Sequence, residues 1–302
     1  MFIKNRREPM ELLILRLLNA RMSLNASQQQ QYLNLKKGHE GEIKFDLLLA
    51  NLHSKFLILN DLLLESNNTI YQIDSVIITQ DALIPCEVKN YEGNYYYKDG
   101  NFYTCTTEKE ITNPLHQLNR METLLRHFLQ KHGFNLSVKG YLTFVNPEFF
   151  LYNAPQNEKM IFPPQLNQFV KNLNMKPSKL NGWHQKLADQ LIKAHISESP
   201  YTRLPAYHYD QLQKGIICVA CQSFILTVDE RRVVCDQCGH WEHTQEAIIR
   251  SVEEFKLLFP DKKVTTNGIY DWCQLVESKK MIRRILRQNY QAIGYGQWSY
   301  YE

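Results

Sequence analysis

Three ionisable residues stand in stretches whose composition favours a buried sheet. Residues 70–79 and 83–91 are rich in Ile and Val and bounded by polar residues, which predicts two strands. Side chains alternate between the faces of a strand, so Gln72 and Asp74 share one face of the first run. Glu87 and Lys89 share one face of the second. Adjacent strands would bring Asp74, Glu87 and Lys89 together. Charges in an apolar sheet are unfavourable unless they are paired or bind a metal. Two carboxylates suit Mg²⁺, which prefers oxygen ligands and keeps several waters. Such an ion polarises a phosphoryl oxygen and lowers the pKa of a bound water. A neighbouring lysine orients that water or steadies the charge developing on phosphate. In outline this is the chemistry of phosphodiester hydrolysis.

The elements that must position these residues follow from the chain in order. Residues 8–24 predict a helix with a broad apolar face from Leu12, Leu13, Ile14, Leu15, Leu17 and Leu18, and the polar run 28–31 reads as its solvated continuation. A second helix is expected over 36–52, with Ile43, Leu47, Leu48 and Leu52 at helical spacing. Gly38 and Gly41 inside it each cost about 1 kcal/mol relative to Ala. Close approach of another backbone, or of a nucleic-acid strand, would account for that. Residues 56–62 predict a first strand. Pro85 in the second site strand lacks a ladder N–H and calls for a bulge or local break. Residues 95–103 read as a hairpin turned at Asp99-Gly100, its tyrosines packing the sheet, with stacking on bases as the alternative. Asn113 as N-cap and Pro114 at the first helical position start a helix to about His132, closed by Gly133, with Leu118, Leu125, Phe128 and Leu129 inward. A strand over 138–145 follows. The order helix, three strands, helix, strand suits an α/β core. Residues 146–180 are rich in Pro and Asn, with a short helix at 165–173; another helix covers 183–196, and 204–209 is a connection.

The spacing from Asp74 through Glu87 to Lys89 resembles the PD-(D/E)XK nuclease superfamily. Gly38-x-x-Gly41-Glu42, Gln72-Ile73-Asp74, the run from Glu87 to Gly93, and Asn113-Pro114-Leu115 with Gln117 occur in one order. Together they resemble the nuclease-related domain, NERD, over roughly residues 36–150. The resemblance implies an α/β (α+β) restriction-endonuclease-like core and a metal-dependent nuclease. In that reading Asp74 and Glu87 bind Mg²⁺ or Mn²⁺ and Lys89 assists the attacking water. Glu42 supplies a third acidic group, and Gln117 contacts phosphate or the water. Nucleases of this fold often pair, which leaves a homodimer open.

Cys218-Val-Ala-Cys221 and Cys235-Asp-Gln-Cys238 carry a second chemistry. Two CxxC pairs at this separation suit a tetrahedral Cys₄ site for Zn²⁺, and four thiolates leave no open position, so the metal is structural. The intervening residues 223–228 and 231–234 read as a hairpin turned near Asp229-Glu230, and the arrangement resembles a zinc ribbon. His240 and His243 read as surface residues. Cys86, Cys105 and Cys273 read as ordinary small apolar residues. An odd cysteine count of seven, four of them in close pairs, argues for a reducing, cytoplasmic setting over a disulfide framework.

The remaining chain is helical. Residues 244–259 present Ile248, Ile249, Val252 and Phe255 as a stripe. Thr265-Thr266-Asn267 caps a short helix over 269–275. Ser278 caps a basic helix carrying Lys279, Lys280, Arg283, Arg284 and Arg287. Two short helices, the second basic, resemble a helix-turn-helix and predict DNA contact. Residues 262–302 hold seven basic against three acidic residues, which matches the net charge of +4 for the whole chain of 302 residues. The apolar run 12–18 is broken by Arg16 and makes a poor signal-peptide core. No stretch approaches the roughly 18 apolar residues that span a bilayer. Five segments are expected: an N-terminal helical extension (1–35), the nuclease-like domain (36–150), a Pro-rich connecting region (151–210), the zinc ribbon (211–245) and a basic helical module (246–302). The leading expectation is a metal-dependent nuclease acting on DNA in processing or repair. A non-catalytic DNA-binding protein and a zinc-ribbon scaffold stay open beside it.

Overall fold

The structure is a computed structural model that describes residues 1–302 apart from 198, 230 and 275–277 and the side chain of 297. The expected turn at Glu230 and helix end at Leu275 lie outside the described residues. The chain divides into two compact units, Met1–Pro9 with Asn34–Thr202, and Met10–Leu33 with Arg203–Glu302. Strand β1 (Phe2–Lys4) belongs to the first unit, α1 (Met10–Arg21) to the second, and α2 (Ala26–Leu49) contributes to both. The polar run 28–31 is the opening of α2 and not a continuation of α1.

In the first unit β2 (Leu57–Ser66), β3 (Thr69–Ile78) and β4 (Ala82–Lys89) form an antiparallel meander. A hairpin of β5 (Gly93–Lys98) and β6 (Asn101–Thr104) follows, then β7 (Glu110–Ile111) and α3 (Pro114–Lys131). The expected strand 138–145 is two pieces, β8 (Ser137–Val138) and β9 (Tyr141–Phe144), both parallel to β4. Strands β10 (Phe149–Tyr152) and β11 (Met160–Ile161), α4 (Leu166–Asn174) and α5 (Gly182–Lys193) complete the unit. The main sheet runs β1-β2-β3-β4-β9-β11, and a second sheet runs β10-β5-β6-β7. Leu118, Leu125 and Phe128 of α3 and Leu187 and Leu191 of α5 share one apolar cluster with Ile73, Val76 and Ile78. Phe45 and Leu49 of α2 and Phe169 and Leu173 of α4 share another with Ile58, Ile77, Ile84 and Val88. Helices thus cover both faces of a mixed sheet, which is an α/β architecture consistent with a nuclease-like core.

Three local features shape that sheet. Ile73 and Val76 enter the same cluster although three residues apart, so side-chain alternation shifts by one within β3. Opposite the shift stands Asp61, with φ +53°. The Lys4 ammonium donates to the carbonyls of Asn60 and Asp61 at 2.9 and 2.7 Å and ties that kink to the N-terminal strand. Pro85 lies inside β4 with its register to β3 unbroken. The break falls on the other edge, between β8 and β9, where the Gly140 N–H donates to the buried Glu122 carboxylate at 2.6 Å. The hairpin turns at Asp99 (φ +47°) and Gly100 (φ +86°), both left-handed as a tight primed turn requires.

The inward face of α2 differs from expectation. Phe45 and Leu49 are buried, whereas Ile43 and Leu47 are exposed. Gly41 is where α2 meets the residue just after β4: a Cβ there would overlap the Cβ of Asn90. Gly38 faces open space.

The second unit joins a small antiparallel sheet to helices. Strands β12 (Leu226–Asp229), β13 (Arg232–Cys235) and β14 (Trp241–His243) pair in order, the third unforeseen in the sequence. Helix α6 (Thr244–Leu258) follows β14 without a linker. After it come α7 (Thr266–Cys273), α8 (Lys279–Asn289) and a hairpin of β15 (Ala292–Ile293) and β16 (Tyr300–Tyr301), with Val264 bridged to Tyr301. Three helices and a hairpin thus follow one another in this unit. Arg21, 2% exposed, lies over the Trp272 ring at 4.1 Å and pairs with Glu254 at 2.8 Å. Arg250 pairs with Glu254 at 2.8 Å and with Glu242 of β14, which fastens the small sheet to α6. Among the described residues no helix is long and apolar enough to cross a membrane.

Candidate metal and nucleic-acid sites

Asp74 ends the regular pairing of β3 with β4, one step beyond the Ser75–Cys86 pair and so beside Glu87. It is buried, and one of its carboxylate oxygens accepts from the Val88 N–H at 2.7 Å. Lys89, two residues beyond Glu87 on the same face of β4, places its ammonium 2.8 Å from the Glu87 carboxylate. Burial, then the charges of Glu87 and Glu42, hold the Asp74 carboxyl well above the usual carboxylate range. Lys89 and the Val88 N–H offset this only in part. Burial opposes the charge on Lys89, yet Glu87, Tyr91 and Asp74 outweigh it and raise its pKa. Glu42, from α2, thus acts on the Asp74 carboxyl.

Arg6 is a member of this cluster that no motif marked. Its side chain is 4% exposed and donates to Glu42 at 2.7 Å and to both Asp46 oxygens at 2.9 and 3.1 Å. It also donates to the Asp74 carbonyl at 2.8 Å and the Ser75 hydroxyl at 3.1 Å. The fork of a guanidinium suits this multiple grip. Burial raises the Asp46 pKa despite the Arg6 contact. His39 lies one turn before Glu42, 3.8 Å from its carboxylate, and its buried Nδ1 has no hydrogen-bond partner. Four carboxylates (Glu42, Asp46, Asp74 and Glu87) therefore share a site with two permanent cations, Arg6 and Lys89. Hard oxygen donors, two of them (Asp46 and Asp74) in raised-pKa carboxyls, suit a divalent cation. The charge is spread: among the described residues the only three or more His, Cys, Asp or Glu side chains whose ligand atoms converge on one ion are the four cysteines. Gln117 stands exposed on the first turn of α3 and makes no hydrogen bond to Asp74, Glu87 or Lys89.

The tyrosines after the site pack among themselves and the sheet. Tyr91 stacks on Tyr95 at 5.4 Å, and Tyr96 on Tyr103 at 5.1 Å. Burial raises the Tyr91 hydroxyl pKa.

The thiols of Cys218, Cys221, Cys235 and Cys238 all lie within 4.8 Å of one another. None of the seven cysteines is in a disulfide. Burial works against ionisation of Cys235, but the backbone N–H groups of Cys238 and Gln237 outweigh it and bring the thiol down to about 7. Four convergent soft donors could hold a metal ion such as zinc and are compatible with a zinc ribbon. Cys86 and Cys273 are buried, as small apolar residues should be, but Cys105 is exposed.

Lys279, Lys280, Arg283, Arg284 and Arg287 project from α8 on its exposed side, opposite the buried Ile282, Ile285 and Leu286. Ser278 caps this helix by accepting from the Met281 N–H at 3.4 Å.

Residues 37–145 match the family model of the nuclease-related domain, NERD. The chain thus carries a nuclease-related domain, and Glu42, Asp74, Glu87, Lys89 and Gln117 all fall within it. Arg6 lies outside the matched segment. No curated protein and no solved structure matches the chain.

Proposed function

We propose that the protein is a metal-dependent nuclease that hydrolyses DNA phosphodiester bonds, serving DNA processing or repair. The observation that carries this reading is the buried Asp74 carboxyl facing Glu87 and Glu42, with Lys89 alongside, inside a nuclease-related segment. Asp74 and Glu87 would hold Mg²⁺ or Mn²⁺, with Glu42 behind them. The ion would supply a Lewis acid and a more acidic bound water. Lys89 places its positive charge where negative charge grows on phosphate. Arg6 holds Glu42 and Asp46 in place. Gln117 is assigned to the substrate side of α3. The four cysteines hold structural Zn²⁺, and the exposed cations of α8 bind the DNA backbone. Cytoplasmic location follows from the reduced cysteines in this reading, and a homodimer would let one molecule act on both strands.

A second reading, a DNA-binding protein that keeps the fold without catalysis, draws on the ion pairs that already engage Glu42 and Glu87. Binding of Mn²⁺, followed by its paramagnetic resonance in zinc-loaded protein, separates the two. The nuclease reading expects one Mn²⁺ site, lost in Asp74→Asn and Glu87→Gln. Absence of any Mn²⁺ site in the wild type would leave the second reading standing.

A further inference from the structure

The hairpin that follows α8 carries two large rings in water. Tyr295 is 94% and Trp298 80% exposed. Their placement is built into the backbone. Strands β15 and β16 pair through Ala292–Tyr301 and Ile293–Tyr300, and the Gln291 and Glu302 main chains bond at 2.9 and 3.0 Å. Gly294 at φ +78° and Gly296 at φ +62° let the chain reverse within the tip. A Cβ at Gly294 would press on the Trp298 carbonyl at 3.3 Å. The Trp298 N–H donates to the Tyr295 carbonyl at 3.3 Å, and the Ser299 hydroxyl donates to the Gly296 carbonyl at 2.9 Å. Tyr295 and Trp298 thus stand exposed at the two ends of one braced turn.

The neighbouring surface says what these rings meet. Only two residues separate α8 from β15, and α8 shows five exposed cations. No carboxylate among the described residues pairs with any of them; Lys279 alone has a neighbour, the Tyr270 ring at 4.9 Å. Exposed cations beside exposed rings complement a polyanion that also offers flat π surfaces, namely nucleic acid. In an intact duplex the base faces are already stacked on one another. Rings at a hairpin tip find free base faces only at unpaired nucleotides.

We propose that the tip formed by residues 294–299 is a base-stacking element, in which Tyr295 and Trp298 stack on unpaired bases next to phosphates held by α8. The ligand class is duplex DNA with a single-stranded extension. The inference rests on α8 as the DNA-binding helix and adds to it the form of DNA that the second unit selects.

Fluorescence anisotropy of labelled DNA tests it, with full-length zinc-loaded protein carrying Glu87→Gln so that the substrate survives. Blunt duplex and the same duplex with a single-stranded extension are compared. The wild-type surface binds the extended duplex more tightly. Tyr295→Ala with Trp298→Ala weakens that binding about tenfold or more, within the range for loss of a stacked base, and leaves blunt-duplex affinity unchanged. Trp298→Phe, which keeps a ring, retains most of the preference. Arg283→Ala with Arg287→Ala weakens both substrates alike. Equal weakening of blunt and extended duplex by the aromatic substitutions overturns the proposal, as does no weakening of either. If instead the arginine substitutions change neither affinity, the α8 reading fails, and the aromatic pair is judged separately on its own two substrates.

Discussion

At the scale of the residue, the account turns on a carboxyl held where its charge is unwelcome. The folded pKa of Asp74 lies above its ordinary value of 3.8, chiefly through burial and secondarily through Glu87 and Glu42. A raised folded pKa means that its contribution to stability is complete below about 3.8 and is lost as pH rises through the folded value. Asn has no charge to bury and keeps an oxygen for the Val88 N–H. Asp74→Asn is therefore expected to raise the thermal midpoint at neutral pH without divalent ions. The gain should shrink as pH falls toward 3.8. A midpoint lowered at neutral pH, measured by circular dichroism, would contradict this. Arg6 gives the opposite case. Its removal leaves Glu42 and Asp46 without their cation in a largely enclosed place. Arg6→Ala is expected to destabilise the protein by about 3–5 kcal/mol, as breaking one side of a buried pair does. Urea unfolding should recover part of that loss when Glu42→Gln is added, because one stranded charge is then gone.

At the scale of the element, two glycines one turn apart on α2 separate packing from propensity. Gly41 faces Asn90 with no room for a Cβ, while Gly38 faces open space. Gly41→Ala is expected to lower stability by pushing α2 from the strand that carries Glu87 and Lys89. Gly38→Ala should raise it by up to about 1 kcal/mol, the helix preference of Ala over Gly. Denaturant midpoints of the two variants shifting the same way would count against this packing. The elements also show what can be read from sequence. Strands β3 and β4, the Asp99-Gly100 turn, the Asn113-Pro114 cap and the Ser278 cap follow from local chemistry, and each stands where that chemistry puts it. Glu87 and Lys89 were legible as neighbours because period-two alternation is local, whereas the shift in β3 beside Asp74 was not. Arg6 was not, since its partners lie 36 to 69 residues away and are joined only by the fold. The inward face of α2 was misassigned because Ile43 and Leu47 are apolar yet exposed, so periodicity alone chose the wrong stripe. Strands β8, β10, β11 and β14 are two to four residues long, too short to show a period.

At the scale of the whole molecule, each unit has its own source of stability. The first buries a sheet between helices. The second places a four-cysteine cluster on a three-stranded sheet whose surface leaves Ile225 62% and Trp241 48% exposed. The helices of this unit have their own apolar core, but of the small sheet only Val233 is buried in it, so metal binding is a large part of what holds the sheet. Chelation of the metal is expected to open residues 216–243 to proteolysis while the first unit stays protected, with fragments identified by mass spectrometry. Equal resistance with and without chelator would mean that the ribbon stands on its own packing. The central claim remains the acidic face of the nuclease-related domain. Its most direct measurement is cleavage of labelled single- and double-stranded DNA in Mg²⁺ or Mn²⁺ by wild type, Glu87→Ala and Lys89→Ala, with DNA binding followed in parallel. The account predicts metal-dependent products from wild type, none from either variant, and DNA binding retained by all three. Products that persist in Glu87→Ala and Lys89→Ala, or a wild type that binds DNA and never cuts it, would contradict the account.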